Sequence, residues 1–246
     1  MKPKMKVQLP SPTHMENVNY KIIDTAGQKT AVVLYSKNPK SQSLRAKRIM
    51  AEDKSIEQVA FLQKDSNSKY YSLVMMGNEL SINGTLAGIY LTSEMTKNPN
   101  VKLRTSGINE VVSGIATQRS VSVKLPKCIF IKKINNVFLL KGIVYEIRNK
   151  INNTNEFYLK NNLKTLAIKY KSYAAGIIYL ENSRIVPCIY VVKTDSLVWE
   201  NACGSGSLSA TIFTGHKRIL QPSGDFINIL TGSKYFTIKT SAKIVK

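Results

Sequence analysis

Two similar short segments lie 122 residues apart in this chain of 246 residues, and each opens a stretch that is apolar on nearly every face. "NELSINGTLA" begins at Asn78 and "ENACGSGSLS" begins at Glu200, so that Ser81 falls on Cys203. Farther along, "LRTSGIN" parallels "LQPSGDF" with Gly107 against Gly224, an offset of 117 residues. Matches in the same order at a near-constant offset predict a tandem duplication, with two similar halves packed about a pseudo-twofold axis.

Short β-branched and aromatic runs separated by Gly, Asn, Asp and Lys predict a strand-rich fold. Four segments read as helices, two amphipathic and two apolar nearly all round. A helix that is apolar on every face belongs in an interior. The amphipathic helices are predicted over 41–53 and 155–170, and the buried ones over 84–95 and 206–217.

The fold class that satisfies this pattern is α+β: two pseudo-symmetric domains, each a mostly antiparallel sheet wrapped around one central helix. We predict an N-terminal domain over residues 18–120 and a C-terminal domain over 121–246, whose last strand is free to cross back to the first. Residues 1–17 are basic without the apolar stretch of a signal peptide, and are predicted to be a disordered leader.

The chain has no run of 18 apolar residues, which predicts no membrane span and no membrane partner. Its three cysteines match no disulfide or zinc spacing, so we expect a reducing compartment, the cytoplasm, and no bound metal. Cys128 and Cys188 lie in apolar runs, where a buried and inert thiol is expected. Cys203 lies in a different setting.

The formal net charge of +21 raises the question of a nucleic-acid partner. The lysines are dispersed, and no RNP-like aromatic motif or zinc-finger spacing occurs, so nucleic-acid binding is not the favoured interpretation. Attraction of anionic small molecules is at least equally compatible with the charge.

The two repeated turns precede buried helices, so their backbone N–H groups are those that a helix N-terminus leaves unpaired. Such an end binds carboxylates and phosphates, and Gly204 and Gly206 would let an anion approach closely. The same partial charge predicts a lowered pKa for Cys203, which would make it a base. A flexible turn without function explains the motif alone equally well, and the duplicated arrangement favours a site.

These residues resemble the active-site motifs of the diaminopimelate epimerase superfamily of cofactor-independent amino-acid racemases and epimerases, and within it the histidine racemases of bacterial metallophore pathways. The similarity rests on "GNELSINGT" and "DSLVWENACGSGS", with support from "DTAGQKTAVVL", "EQVAFL" and "LQPSG". It implies an amino-acid substrate, no cofactor, a homodimer as a common assembly, and two bases on opposite faces of the α-carbon. The resemblance makes Cys203 one base and divides the carboxylate cradle between two triplets: Gly204, Ser205 and Gly206, and Asn83, Gly84 and Thr85.

The chain departs from that pattern where the second cysteine and its glycine would stand, at Ser81 and Ile82, and Gln28 replaces an asparagine. A serine hydroxyl is a far weaker acid than a thiol. Three interpretations follow: an engineered substitution, a serine that donates through water in a slower epimerase, or a one-base isomerase or dehydratase. A catalytically lapsed amino-acid-binding homologue is the non-enzymatic alternative.

Several polar residues beside the turns are expected to contact the substrate. Glu57, in "EQVAF", resembles the catalytic glutamate of the phenazine-biosynthesis isomerases, but ammonium binding or a surface position is favoured for it. Glu79 and Glu200 are expected to fix the loops or to contact the substrate amine. The remaining candidate substrate-binding residues are Asn78, Asn201 and Gln28.

Overall fold

The computed structural model describes residues 19–34, 39–64, 68–149, 151 and 155–246. The first half contains β1 (Tyr20–Thr25), β2 (Gln28–Leu34), α1 (Pro39–Glu52), β3 (Gln58–Lys64), β4 (Tyr71–Met75), α2 (Ile82–Thr96), β5 (Asn100–Thr105), β6 (Val112–Ala116) and β7 (Ser120–Pro126). A 3₁₀ turn, Lys127–Ile129, follows. The second half contains β8 (Phe130–Ile134), β9 (Val137–Leu140), β10 (Ile143–Arg148), α3 (Glu156–Lys169), β11 (Ala174–Glu181), β12 (Arg184–Val191), β13 (Ser196–Trp199), α4 (Gly204–Thr214), β14 (Arg218–Leu220), β15 (Phe226–Thr231) and β16 (Tyr235–Ile244).

A closed barrel surrounds α2. Strands β1 to β7 are neighbours in chain order, and β16 pairs with both β7 and β1, which closes the ring at eight strands. Helix α2 contacts all eight of them. Its residues are buried from Ile82 to Ser93, as the all-round apolar pattern predicted.

The sheet continues from β16 into the second half, in the order β15, β14, β12, β11, β10, β9 and β8, with β13 also paired to β12. Helix α4 packs against β10, β11, β12, β14 and β15. Most strand pairs are antiparallel, and the four parallel pairs, β2–β3, β4–β5, β10–β11 and β12–β14, are each bridged by a helix. The fold is therefore α+β and rich in sheet, with one buried helix in each half.

The outer faces of the sheet are covered by the amphipathic helices. Helix α1 packs on β3, and α3 packs on β10, β11 and β12 through Leu159, Leu163 and Ala167. Asn155 accepts a hydrogen bond from the backbone N–H of Tyr158 and so caps α3. Both helices form within two residues of their predicted bounds.

The buried helices begin two residues earlier than predicted. The side chains of Ser81 and Cys203 accept N–H hydrogen bonds and are themselves the N-caps of α2 and α4. The Gly/Ser segments expected to be turns are thus the first turns of the helices. The strands β5, β6, β7, β13 and β14 were not predicted, because they are short or interrupted by charged residues.

The predicted leader, residues 1–17, lies outside the described residues. Within the described part of the chain, no helix is long and apolar enough to cross a membrane. The prediction for Cys128 is wrong: it lies in the 3₁₀ turn and is exposed, while Cys188 is buried in β12 as expected.

Candidate active site

The N-termini of α2 and α4 meet head to head between the two halves. Asn83, in the first turn of α2, accepts a 2.6 Å hydrogen bond at Oδ1 from the Gly204 N–H of α4, and donates from Nδ2 to the Thr25 carbonyl at 3.2 Å. A Cβ on residue 204 would lie 2.7 Å from Ile82 Cγ2. Gly204 is thus required by the approach of the two helices, and its N–H is already paired rather than free for an anion.

Equivalent side chains cap both helices. Ser81 Oγ accepts from the Gly84 N–H at 3.0 Å, and Cys203 Sγ accepts from the Gly206 N–H at 3.3 Å. Among the six residues predicted as a carboxylate cradle, the backbone N–H groups of Asn83 and Ser205 have no hydrogen-bond partner within the described part of the chain. Each belongs to the second residue of its helix. The predicted six-residue carboxylate cradle therefore reduces to these two donors.

A narrow cavity of about 30 Å³ lies where the helix ends meet. Its walls include Met76, Leu80, Ile143, Ile189, Val191 and Val198. Nine of the predicted site residues line it from both halves: Gln28, Glu57, Glu79, Ser81, Asn83, Glu200, Cys203, Gly204 and Ser205.

Five predicted site residues do not line this cavity. Gly84 and Gly206 donate to the two caps, and the Thr85 hydroxyl donates to the Ser81 carbonyl at 2.7 Å. Asn78 is exposed in a turn with a positive φ of 65°. Asn201 is also exposed and acts through Glu57, to which it donates from its backbone N–H and from Nδ2.

Ser81 is held in a chain of amide hydrogen bonds that includes a residue the sequence reasoning missed. Its hydroxyl donates to Gln58 Oε1 at 2.8 Å, and Gln58 Nε2 donates to Gln28 Oε1 and to Thr30 Oγ1. Gln58 follows Glu57 directly in "EQVAF". Its position beside a candidate site residue was the sequence signal that could have identified it. The Ser81 proton therefore points to Gln58 in this structure.

Three carboxyl groups share the cavity, and among the residues that the structure describes no Lys, Arg or His lines it. Burial raises the pKa of Glu57 to about 7 and of Glu79 to about 7. Burial also raises the pKa of Glu200 to about 8, with further contributions from the charges of Glu57 and Glu79. Among the described residues, no cluster of His, Cys, Asp and Glu is arranged to hold a metal ion. The site is thus acidic inside a basic chain.

Two side-chain atoms in this cavity are buried without a hydrogen bond, namely Gln28 Nε2 and Glu79 Oε2. The Gln28 amide lowers the pKa of the nearby Glu57 and Glu200, but Nε2 has no well-formed hydrogen bond to either. Buried polar atoms normally find partners, so unpartnered ones that face a cavity indicate a place for a polar ligand.

The prediction of a lowered pKa for Cys203 is wrong. Burial raises the pKa of this thiol well above its ordinary value, and the neighbouring Glu200 carboxylate raises it further. The Tyr145 hydroxyl and the Gly206 N–H act in the opposite direction and are outweighed. Cys203 is 2% exposed, so the loss of hydration outweighs the helix N-terminus and the resting group is a thiol.

Tyr145, on β10, is the second site residue that the sequence reasoning missed. Its hydroxyl lies 2.6 Å from Ser205 Oγ and 3.5 Å from Cys203 Sγ. A tyrosine in the apolar run "GIVYEI" carries no signal that separates it from a core residue. Its hydroxyl holds the thiol and the first turn of α4 in a fixed arrangement.

The comparisons with known proteins make this chain an isomerase of the racemase and epimerase class. The family described as "Histidine racemase CntK N-terminal domain" matches residues 17–237, and the chain belongs to this family. It is 25% identical to a histidine racemase of Staphylococcus aureus over 227 residues, covering 80% of this chain and 82% of that protein. It is 29% identical to a histidine racemase of Fusobacterium nucleatum over 236 residues, covering 82% and 84%.

The fold is also found in solved structures of low sequence identity. A probable proline racemase from Agrobacterium radiobacter K84 superposes with a TM-score of 0.61 at 12% identity. The match covers 92% of this chain and 91% of the other. This similarity supports the α+β, barrel-like architecture.

Proposed function

We propose that this protein inverts the α-carbon of an amino acid by proton transfer in the cavity between α2 and α4, without pyridoxal phosphate. The observation that carries the proposal is the convergence of the Cys203 thiol, two free N–H donors and three carboxyl groups on one small cavity. An amino acid has an anionic end, a cationic end and an acidic α-proton between them, and this cavity offers a partner for each.

The substrate carboxylate would be held by the N–H groups of Asn83 and Ser205. Because they belong to two helix N-termini, they stabilise both the bound carboxylate and the enolate-like charge that develops when the α-proton leaves. Fixed donors of this kind strengthen as charge develops, which is how they lower the barrier.

The carboxyl groups favour a cationic substrate. The α-ammonium takes Glu57 or Glu200, which leaves a carboxyl group for a second positive group. An imidazole side chain that becomes an imidazolium would fill that place. Together with the histidine racemases among its relatives, this makes histidine the proposed substrate.

Cys203 is the proposed acid-base group on the α4 side, where it gives or takes the proton at Sγ. Ser81 stands in the place of the second cysteine and caps α2. The chemistry needs a free thiol, which suits a reducing compartment such as the cytoplasm.

The cavity must open to admit a substrate. A volume of about 30 Å³ is small beside the roughly 300 Å³ or more of ligand pockets. The contacts that would have to separate join the two halves, among them Glu57 with Asn201. We also propose that the halves arose by duplication, since β-α-β units recur in the same order in each.

One-base isomerisation is the second candidate function. It is favoured by one observation, the donation of the Ser81 proton to Gln58 instead of into the cavity. A one-base enzyme would exchange the α-proton of one enantiomer without inverting it.

The test is a chiral chromatographic assay of L- and D-histidine, with the other amino acids as a comparison panel. We expect both enantiomers of histidine to converge on a 1:1 mixture, and Cys203→Ala to lower kcat by about 100-fold or more, the usual effect of losing an acid-base group. Conversion of histidine by Cys203→Ala at the wild-type rate would refute the proposed role of the thiol.

A further inference from the structure

Inversion needs a proton-transfer group on each side of the cleft, and the α2 side lacks a cysteine. The Ser81 hydroxyl is poorly suited to replace one. Its oxygen accepts from the Gly84 N–H, and its proton is donated to Gln58, which is itself held by Gln28 and Thr30. A general acid or base works best when its pKa is near the working pH, and the pKa of an aliphatic hydroxyl lies far above that pH.

The cavity also holds three carboxyl groups as candidates, and two of them are already engaged. Both oxygens of Glu57 accept hydrogen bonds from Asn201, at 2.8 and 2.7 Å. Glu200 lies beside Cys203, whose pKa it raises, so it belongs to the α4 side. The third candidate is Glu79.

Glu79 is the group on the α2 side that has an oxygen, Oε2, without a well-formed hydrogen bond, although the backbone N–H groups of its own loop lie close enough to lower its pKa. It lies in the loop between β4 and α2, two residues before Ser81, and it is 5% exposed. Its Oε2 is buried without a hydrogen bond although the residue lines the cavity.

The backbone that carries Glu79 is closely packed, and its carboxyl group lies against Gly77. A Cβ on Gly77 would meet both Glu79 Oε2 and Val191 Cγ1, and a Cβ on Gly142 would lie 3.2 Å from the Leu80 nitrogen. The Ser106 hydroxyl donates to the Glu79 carbonyl at 2.7 Å. A carboxyl group fixed this closely loses little freedom when a substrate arrives.

We propose that Glu79 is the second acid-base group of the reaction and works across the α-carbon from Cys203, a role that rests on the proposed racemase function. In one direction the Glu79 carboxylate takes the α-proton, the C–H electron pair passes into the enolate, and the Cys203 thiol returns a proton to the opposite face. The products are the other enantiomer, a protonated Glu79 and a Cys203 thiolate. In the reverse direction the thiolate takes the proton and the Glu79 carboxylic acid returns one.

The resting protonation states match the first direction. The N–H groups of its own loop and the charge of Lys193 lower the pKa of Glu79, and burial outweighs them to give a pKa of about 7. Glu79 in turn raises the pKa of Glu200. The pKa of the Cys203 thiol lies well above its ordinary value. At neutral pH much of the protein therefore carries a Glu79 carboxylate and a Cys203 thiol, the pair that this direction needs.

The experiment compares Glu79→Gln with Ser81→Ala and with Glu181→Gln, an exposed control at the end of β11. We expect Glu79→Gln to lower kcat for inversion by about 100-fold or more, with the dissociation constant for histidine, measured by calorimetry, changed less than tenfold. Ser81→Ala should cost no more than about tenfold in kcat, and Glu181→Gln should match the wild type. Glu79→Asp should recover part of the lost rate, since it restores the carboxyl group on a shorter arm.

A pH profile separates a chemical from a structural role. For the enantiomer taken by the carboxylate, kcat/KM of the wild type should rise with pH through about 7. This rise with pH, the acidic limb of the profile, should be retained in Ser81→Ala and lost in Glu79→Gln. The residual activity of Glu79→Gln should be exchange of the α-proton of one enantiomer without inversion.

Inversion by Glu79→Gln at a rate within tenfold of the wild type, or retention of the pH limb in that variant, would overturn the role of Glu79. A larger loss in Ser81→Ala than in Glu79→Gln would also overturn it and return the role to serine. If the wild type itself converts no amino acid, the proposed function fails before this question arises, so the two failures are distinguishable.

Discussion

Cys203 shows how far a motif can describe a residue's chemistry. "WENACGSGS" located the cysteine at the N-terminus of a buried helix, and the structure agrees. The prediction of a thiolate was wrong because burial and the neighbouring Glu200 raise the pKa of Cys203. The packing around these two residues is set by strands that are distant in the sequence. Tyr145 and Gln58 were missed for the same reason, since their roles follow from contacts and not from spacing.

The three thiols should react with iodoacetamide in an order set by exposure and thiolate content. Cys128 is exposed and should be modified first. Cys203 and Cys188 are buried, and burial raises the pKa of Cys188 to about 12, so both should react at least about tenfold more slowly at pH 8. Peptide mass spectrometry after timed labelling measures the order, with denatured protein as the equal-reactivity control. Faster modification of Cys203 than of Cys128 in the native protein would restore the thiolate interpretation.

The facing helices α2 and α4 form the element on which the site depends. The duplication in the sequence predicted that equivalent helix ends would occur in both halves. The contact between them through Asn83 and Gly204 was not predictable, because the residues are 121 positions apart and neither has a pattern that names its partner. Closure of the barrel by β16 against β1 is also long-range, although a crossing of the last strand into the first half was anticipated.

Asn83→Ala should lower the free energy of unfolding by about 2 kcal/mol, because it leaves the buried Gly204 N–H and the Thr25 carbonyl without their hydrogen-bond partner. Racemisation should fall as well, since the two helix ends lose their alignment. Urea titration followed by circular dichroism measures the change. Asn228→Ala, at an exposed position of β15, is the matched control and should alter stability by less than about 0.5 kcal/mol. A loss in Asn83→Ala no larger than in this control would contradict the bridging role.

At the scale of the whole molecule, charge is distributed unevenly. The net charge of +21 suggested that an anionic molecule could be the ligand, but within the described part of the chain the cavity is lined by three carboxyl groups and by no basic residue. Net charge sums the surface lysines and says nothing about a site of a few residues. The strands and the buried helices could be predicted from the periodicity of the sequence. The sign of the electrostatic potential in the cleft could not, because it depends on which side chains the fold brings together.

The buried carboxyl groups should make the protein less stable as the pH rises. Their pKa values are raised on folding from 4.5 to about 7 or 8, so between pH 4.5 and 8 the folded protein binds more protons than the unfolded chain. The unfolding free energy should then fall by about 3 kcal/mol or more from pH 5 to pH 8, at roughly 1.4 kcal/mol per pKa unit. Urea titrations in high salt, which screens the surface lysines, measure this slope.

Glu200→Gln removes one of these groups and should flatten the slope, while Glu181→Gln, at the surface, should leave it unchanged. An unfolding free energy that is constant or rises over this range would contradict the description of an acidic cavity with raised pKa values.

The measurement that tests the central claim most directly is α-proton exchange in deuterium oxide, followed by NMR together with a chiral assay on the same sample. With L-histidine, the account predicts that the wild type incorporates deuterium at the α-carbon while D-histidine appears, and that Cys203→Ala does neither at a comparable rate. Exchange and inversion that persist undiminished in Cys203→Ala, or no exchange by the wild type with any amino acid, would contradict it.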